Sequence, residues 1–268
     1  DLIRVAKAVG AEGKIYYQEQ AMGISHAVLF AREILRGKVI VAFADTLFKA
    51  EFKLDTEKDG IIWVQKVKDP SQFGVVKLDA SGTITELIEK PANFVSDLAI
   101  IGIYFFRDGE FLRNEMQYLL DNDIKEKGEY QFTTALENMK KKGAKFVAGQ
   151  VTEWLDCGNK DNMVQTNQRY LEYIRNSPLI AASVKNTNSK IVAPVFIGDN
   201  VILENCTIGP HVSIGEGTVI KESSIKNSII QANCVINRSK IENSMFGNFV
   251  NFEAQSSDAS LGDYSVVR

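Results

Sequence analysis

The stretch IVAPVFIGDNVILENCTIGPHVSIGEGTVI, residues 191–220, decides the fold, because small aliphatic residues recur in it at steps of six: Ile191, Ile197 and Leu203, then Ile208, Ile214 and Ile220. Within it IGDNVI, IGPHVSI and IGEGTVI each run from an aliphatic residue through glycine and two variable residues to a small or β-branched one. The longer phrases ILENCTIG, IKESSIKN and INRSKIEN, beginning at Ile202, Ile220 and Ile236, recur at 18 and then 16 residues. A fixed period of this kind marks a repeat architecture. Eighteen residues make three hexapeptides. Three short strands per coil, each with one inward aliphatic residue and a small residue at each corner, stack into a triangular prism around a column of Ile, Val and Leu. The pattern predicts a short left-handed β-helix of roughly three coils between Ile191 and about Val250, with an antiparallel sandwich as the competing reading. So few coils suit a packing or assembly module rather than a whole fold.

Upstream the chain alternates helical and strand patterns. Leu2, Val5, Ala6 and Val9 share one face of an opening helix, with Gly10 at its C-terminal cap. A strand over residues 14–17, a helix over 25–35 and the apolar run 39–44 follow in strand–helix–strand order, which predicts a parallel sheet buried on both faces. Next come a strand over 61–67, a hairpin of 74–78 and 83–87 joined around Ser81-Gly82, and a long apolar strand over 98–106. Helices near 110–121 and 133–142, a strand near 145–150 and a helix over 160–176 complete a first domain of residues 1–178, which ends at Asn176-Ser177-Pro178. Residues 179–190 read as a linker, and 191–268 as the β-helix with a C-terminal tail.

The 268 residues are 45% hydrophobic, enough for two domains with cores of their own. With 31 basic and 34 acidic residues the formal charge is −3, and no basic stripe is interleaved with aromatics. That balance argues against nucleic acid as a partner and favours small molecules. Cys157, Cys206 and Cys234 are odd in number and widely spaced, without a CxxC pair, which argues against both a disulfide framework and a zinc site. No apolar run reaches the length of about eighteen residues that a membrane span needs, and the N-terminus carries acid and base, unlike a secretory signal. A cytoplasmic protein with no membrane partner is expected.

Four places carry candidate chemistry. Asp45 ends the run 39–44, and ligands of open α/β sheets bind beyond the carboxyl ends of strands, so it is placed to hold a divalent cation against phosphates; the plainer reading is a turn or helix cap. Asp156, in EWLDCG at 153–158, offers a second carboxylate for the same Mg²⁺, or alone caps the helix that begins near Lys160. In Glu89-Lys90-Pro91 the lysine before proline is biased toward extended backbone, so acid and base face different ways and can hold a sugar hydroxyl and a sugar phosphate; the alternative is a solvated pair. In YQEQAMGI at 17–24, Gln18 can pair with the edge of a base, and Gly23 lets backbone approach it, unless the segment is a plain connection. His26 reads as a packing or surface residue.

Taken in order, QEQAMGISHAV (18–28), VAFADTLF (41–48), FGVVKLDASGTITELIEKP (73–91), DLAIIGIYFF (97–106), KGEYQFTTAL (127–136) and WLDCGN (154–159) make nearly the whole chain resemble the sugar-phosphate nucleotidylyltransferase family. The resemblance is to the long, glucose-1-phosphate thymidylyltransferase-like form, whose closing segment Leu261-Gly262-Asp263-Tyr264-Ser265 resembles. It implies an α/β, Rossmann-like mixed-sheet domain followed by the left-handed β-helix. It also implies an enzyme in which a hexose-1-phosphate, glucose-1-phosphate above all, attacks the α-phosphorus of dTTP or UTP in line and releases pyrophosphate, with Mg²⁺ as cofactor. Position by position, Gln18 and Gly23 would read the base, Asp45 and Asp156 would hold Mg²⁺, and the Gly74 backbone and Glu89 would bind sugar hydroxyls. Lys90 would grip the sugar phosphate, so that Asp45, Lys90 and Asp156 form the catalytic set. Lys127 would stand near that phosphate, with Glu129 beside it. A homo-oligomer assembled through the β-helix is expected.

The family opens with a strand and a glycine-rich loop carrying an arginine and, further on, a lysine, which wrap the triphosphate. This sequence opens with its helix instead, so it is expected to be a fragment or to lack that loop. A non-catalytic nucleotide-sugar-binding regulatory or assembly subunit is therefore the alternative function. Third is a bifunctional uridylyl and acetyl transferase, since the β-helix is also similar to hexapeptide acyltransferases; its general base would have to be His211, the one histidine of the repeat.

Overall fold

An uninterrupted apolar strand cannot lie on a surface, and residues 98–106 are correspondingly buried from Ala99 to Phe106 in the computed structural model, which describes residues 2–51, 54–256 and 258–268. The chain forms two units, Asp1–Trp154 and Leu155–Arg268. The first runs α1 (Leu2–Ala8), α2 (Ile24–Leu29), β1 (Val39–Ala42), β2 (Thr46–Lys49), β3 (Gly60–Lys66), β4 (Val75–Leu78), β5 (Ile84–Ile88), β6 (Leu98–Phe106), α3 (Gly109–Asp121), α4 (Phe132–Lys141) and β7 (Phe146–Gln150). β8 (Glu153–Asp156) then carries the chain into the second unit.

The sheet of the first unit has the order β5-β4-β6-β3-β7, with β1 also paired to β6. Only β3 and β7 run parallel; β1, β3 and β4 lie antiparallel to β6, and β4 and β5 form the expected hairpin. The sheet is therefore mixed. The parallel opening expected from the first three elements is not found among the described residues: Val39 lies opposite Phe106 and Ala42 opposite Ile103, antiparallel. Residues 14–17 form no strand and pair with none among the described residues; Lys14 and Tyr16 both reach the Glu33 carboxylate, at 3.6 and 2.5 Å. α2 is shorter than the expected 25–35 and gives way to turns after Leu29. α1 forms as expected, but its Leu2 and Val5, and Val9 just beyond it, face solvent.

Side chains alternate across β6, so each face of the sheet receives its own core. Ile100, Tyr104 and Phe106 meet Leu112, Met116 and Leu119 of α3 and Phe132, Leu136 and Met139 of α4. Ile101, Ile103 and Phe105 meet Ile61 and Trp63 on the other side. Each such side chain contributes about 1.5–3 kcal/mol through burial.

The second unit begins with α5 (Lys160–Tyr173), which the sequence reading assigns to the first domain. It lies instead against the repeat through polar contacts: Lys160 Nζ reaches Asn243 O at 3.3 Å and Asp258, the Ser213 hydroxyl donates to Asn167 Oδ1 at 2.6 Å, and His211 Nε2 meets Glu172 Oε1 at 2.8 Å. The expected linker is also part of the repeat, since Lys185–Thr187 pairs in parallel with Ile202–Glu204.

The repeat is a parallel β-solenoid whose sheets hold five, five and six strands among the described residues, about five turns where the sequence reading expects three. Ile197, Ile214, Ile230, Phe246 and Leu261 stack at steps of 17, 16, 16 and 15 residues, not 18. The shorter coils turn one corner at an asparagine, Asn227 or Asn243, with φ of 42° and 48°. Asparagine tolerates this left-handed backbone, and the glycine that follows the inward aliphatic residue at 198, 215, 247 and 262 is Gln231 in the coil between. Register also corrects the phrase alignment by one residue: Leu203, not Ile202, stacks on Ile220. A one-residue slip reverses which side chains face inward.

Serine hydroxyls join successive coils. Ser223 Oγ donates to Lys221 O at 2.6 Å and accepts from Ser239 N at 3.0 Å; Ser239 Oγ donates to Asn237 O at 2.6 Å and accepts from Ala254 N at 3.2 Å. Ser228 and Ser244 repeat the arrangement at another corner. Ser239→Ala would leave the half-buried Asn237 carbonyl and Ala254 N–H without this partner, so equilibrium denaturation should register a loss of about 1 kcal/mol or more from the second unit.

Candidate active site

The segment before α2 is joined by its backbone to the segment before α4. Met22 O accepts the Tyr130 N–H at 2.9 Å, Ser25 N–H donates to Tyr130 O at 3.2 Å, and the buried Ser25 hydroxyl donates to Gln131 O at 3.1 Å. Gly23 lies between them with φ +99°, and a Cβ there would stand 2.8 Å from both Tyr130 N and Tyr130 O. Only glycine meets both demands. The Gly23 carbonyl accepts from Gln18 Nε2 at 3.2 Å, and the same nitrogen lies 2.8 Å from His26 Nδ1. Both N–H bonds of the Gln18 amide are thus committed within the protein. The paired hydrogen bonds expected of Gln18 reduce to one acceptor, Oε1.

Glu126 and Glu129 exchange backbone hydrogen bonds of 3.0 and 3.1 Å around Lys127 (φ +54°) and Gly128 (φ +85°), as in a type I′ hairpin turn. The turn presents Lys127, whose ammonium donates to the Lys90 carbonyl at 2.9 Å, while the Lys90 N–H donates to Phe73 O at 3.2 Å. Held at both ends, Lys90 takes φ +40° instead of the extended backbone expected before proline. Left-handed backbone of this kind costs a non-glycine residue about 1–2 kcal/mol and gathers at functional sites.

Glu89 is next in the row. Its Oε2 accepts from the Thr133 hydroxyl at 3.2 Å, and a Cβ on Gly74 would stand 3.0 Å from that same oxygen, so glycine keeps the space beside the carboxylate open. Burial pushes the Glu89 carboxyl above its ordinary range; Thr133, Lys90 and Lys127 oppose the shift and Glu126 adds to it. Buried Tyr104 is pushed up by burial and by the Glu89 charge. The fold thus gathers Gly74, Glu89, Lys90 and Lys127 in one cluster, and Gln18, Gly23 and Glu129 in another, continuous with the first along residues 126–131.

Thr133 and Glu126 belong to this arrangement although sequence reasoning did not single them out. Thr133 lies inside the quoted segment KGEYQFTTAL, but nothing in that segment names Glu89, 44 residues away, as its partner.

Asp45 occupies the exposed turn between β1 and β2, fixed by Phe43 N to Gly102 O at 2.9 Å and Thr46 Oγ1 to Ile101 O at 2.7 Å. No helix follows, so it caps none, and its carboxylate has no hydrogen-bond or ion-pair partner among the described residues. Asp156, in the second unit, accepts from Gly158 N at 2.9 Å with Oδ1 and from the Asn162 amide with Oδ2; the N-cap of α5 is Asn159. Each Asp156 oxygen keeps a lone pair, and both aspartates are the hard oxygen donors that Mg²⁺ takes. No group of three or more His, Cys, Asp and Glu able to hold a metal occurs among the described residues, and no helix among them is long and apolar enough to cross a membrane.

Comparison with known proteins gives consistent matches. The nucleotidyl transferase family model matches residues 1–173. A glucose-1-phosphate thymidylyltransferase of Streptomyces antibioticus is 30% identical over 300 residues, covering 98% of this chain and 82% of the relative. A bifunctional protein GlmU of Methanococcus vannielii is 28% identical over 272 residues, covering 91% of this chain and 64% of that protein. A solved Bacillus anthracis structure in complex with sucrose is 22% identical with a TM-score of 0.50, covers 62% of this chain and 68% of its own, and shares the fold.

The Thr133 hydroxyl stabilises the charged form of Glu89 more than the neutral one, so its removal favours the protonated form. Thr133→Val should move the Glu89 titration midpoint further up, read by carboxyl-carbon NMR; an unchanged or lower midpoint would refute the contact.

Proposed function

Because this chain belongs to the nucleotidyl transferase family, we propose that it transfers a nucleotidyl group from dTTP or UTP to a hexose-1-phosphate, in the first place glucose-1-phosphate. The observation that supports this reading most is the continuous row in the first unit, from Gln18 and Gly23 through Glu129 and Lys127 to Lys90, Glu89 and Gly74. Gln18 Oε1 accepts an N–H of the base, and the Gly23 backbone allows close approach. Glu89 accepts from a sugar hydroxyl, with Gly74 leaving room, and the ammonium groups of Lys90 and Lys127 draw in the sugar phosphate. An oxygen of that phosphate forms a bond to the α-phosphorus as the bond from this phosphorus to the β-bridging oxygen breaks. Pyrophosphate leaves with the electron pair, and no covalent enzyme intermediate is needed. Asp45 in the first unit and Asp156 in the second each offer the oxygen donors that Mg²⁺ takes, and the ion when bound would neutralise charge on the phosphates.

The regulatory-subunit alternative shares the binding row and differs only in turnover. The acetyl-transferring alternative would need His211 as its general base; its Nε2 meets Glu172 of α5, which leaves Nδ1 for that role. The free cysteines fit a cytoplasmic location.

We further propose that the chain self-associates through one solenoid face. Its outward row places Ile202, Val219, Val235, Asn251 and Val266 in register, with Val266 60% exposed. Beside that row Phe249 and Tyr264 stack at 4.8 Å, and the paired Glu204 and Lys221 bring both charge signs to the face. A second copy has the same coil spacing and mixed charge, so the two faces match.

Incubation with glucose-1-phosphate, Mg²⁺ and, separately, UTP, dTTP, CTP and GTP should release pyrophosphate with UTP or dTTP; silence with all four would refute transfer. Asp45→Asn should lower that turnover about a hundredfold, whereas a binding subunit would show altered ligand affinity and no turnover to lose. Light scattering should give a mass above the monomer, reduced by Val235→Glu with Tyr264→Glu, and a monomeric parent protein would refute self-association.

A further inference from the structure

His26 lies beside the proposed base-reading group, and its hydrogen bond has a direction that chemistry fixes. The Gly23 carbonyl can only accept, so the Gln18 atom 3.2 Å from it must be the amide nitrogen. That nitrogen carries a second hydrogen, and its other neighbour is His26 Nδ1 at 2.8 Å. Nδ1 must therefore be the bare nitrogen of a neutral ring whose proton sits on Nε2. The ring is steadied by Phe30, one helical turn on, which packs edge-to-face at 5.1 Å and 86°. The two acceptors converge on one amide group and leave Oε1 facing away from both.

We infer that His26 is a positioning residue for nucleotide choice: its bare Nδ1 locks the Gln18 amide so that the site offers the base an acceptor and no donor. Uracil and thymine present an imino N–H at N3 and satisfy that acceptor. Cytosine presents a lone pair at N3 and opposes it. The discrimination rests on the nucleotide-binding reading above; the state of the ring does not, and can be measured without substrate.

Two measurements test the inference. Nitrogen-15 NMR of the histidine rings, with only two histidines to assign, should show His26 protonated at Nε2 and bare at Nδ1, with the preference lost in Gln18→Leu. A ring protonated at Nδ1 would overturn the inference whatever the protein binds. Calorimetric titration with UTP and CTP should show UTP preferred by about tenfold, the worth of one hydrogen bond. His26→Leu should lose most of that preference through weaker UTP binding, and His26→Asn, whose side-chain oxygen can replace Nδ1 as acceptor, should regain it. An unchanged ratio in His26→Leu, or no recovery in His26→Asn, would overturn the role assigned to His26. Equal binding of UTP and CTP by the parent protein would do the same, whereas binding of neither nucleotide would overturn the nucleotide-binding reading as well.

Discussion

Three hydrogen bonds between residues 22–25 and residues 130–131 hold together two parts of the site that share no strand of the sheet. They require the backbones to approach more closely than a Cβ at residue 23 would allow, so the identity of Gly23 is set by packing before any ligand arrives. The segment they receive is itself braced. The Tyr130 hydroxyl donates to Asp123 at 2.7 Å, and the Gln131 amide reaches Glu126 O at 3.3 Å. α4 starts at Phe132, buried in the core, and Thr133 follows with its hydroxyl on Glu89. A local closure of two loops thus fixes the distance between the base-reading end and the sugar-holding end.

The charges of the row are arranged by the same economy of partners. Glu89 lies half-buried, which favours its neutral form, yet one hydroxyl and two ammonium groups favour the charged form. Burial is the larger influence, so the carboxyl lies above its ordinary range. Lys127 contributes to this balance while anchored to the Lys90 carbonyl, and that anchor is also what bends Lys90 out of extended backbone. Side-chain charge and backbone strain are therefore linked through one contact.

In the second unit the column of Ile, Val, Leu and Phe supplies the burial, and the buried serines meet the backbone groups that the corners leave unpaired. An all-aliphatic corner would be as apolar but would strand those groups, at a cost that the hydrophobic term does not offset locally. α5 covers one solenoid face with polar contacts and leaves another with its valines outward.

What was legible in sequence was what repeats or runs locally. The six-residue step of Ile191 to Ile220 gave away the solenoid, the apolar run 98–106 its strand, and Ser81-Gly82 its hairpin, because each signal is carried by neighbours in the chain. The glycine that follows the inward aliphatic residue stands at Gly198 and Gly215, gives way to Gln231 and returns at Gly247 and Gly262, while the coil step shortens from 17 to 15 residues, so a fixed six-residue step reads only the first coils; nor does helix periodicity say against what α5 packs. Glu89-Lys90 stood out as a motif, but the Lys90 conformation, the Thr133 contact and the His26 bond did not. By itself the sequence determined the long apolar strand, the hairpin, the repeat and the residue types available for chemistry. Only the tertiary structure decided which of them meet, since those meetings depend on loop closures between residues as far apart as Ser25 and Gln131, where no local period or propensity reaches.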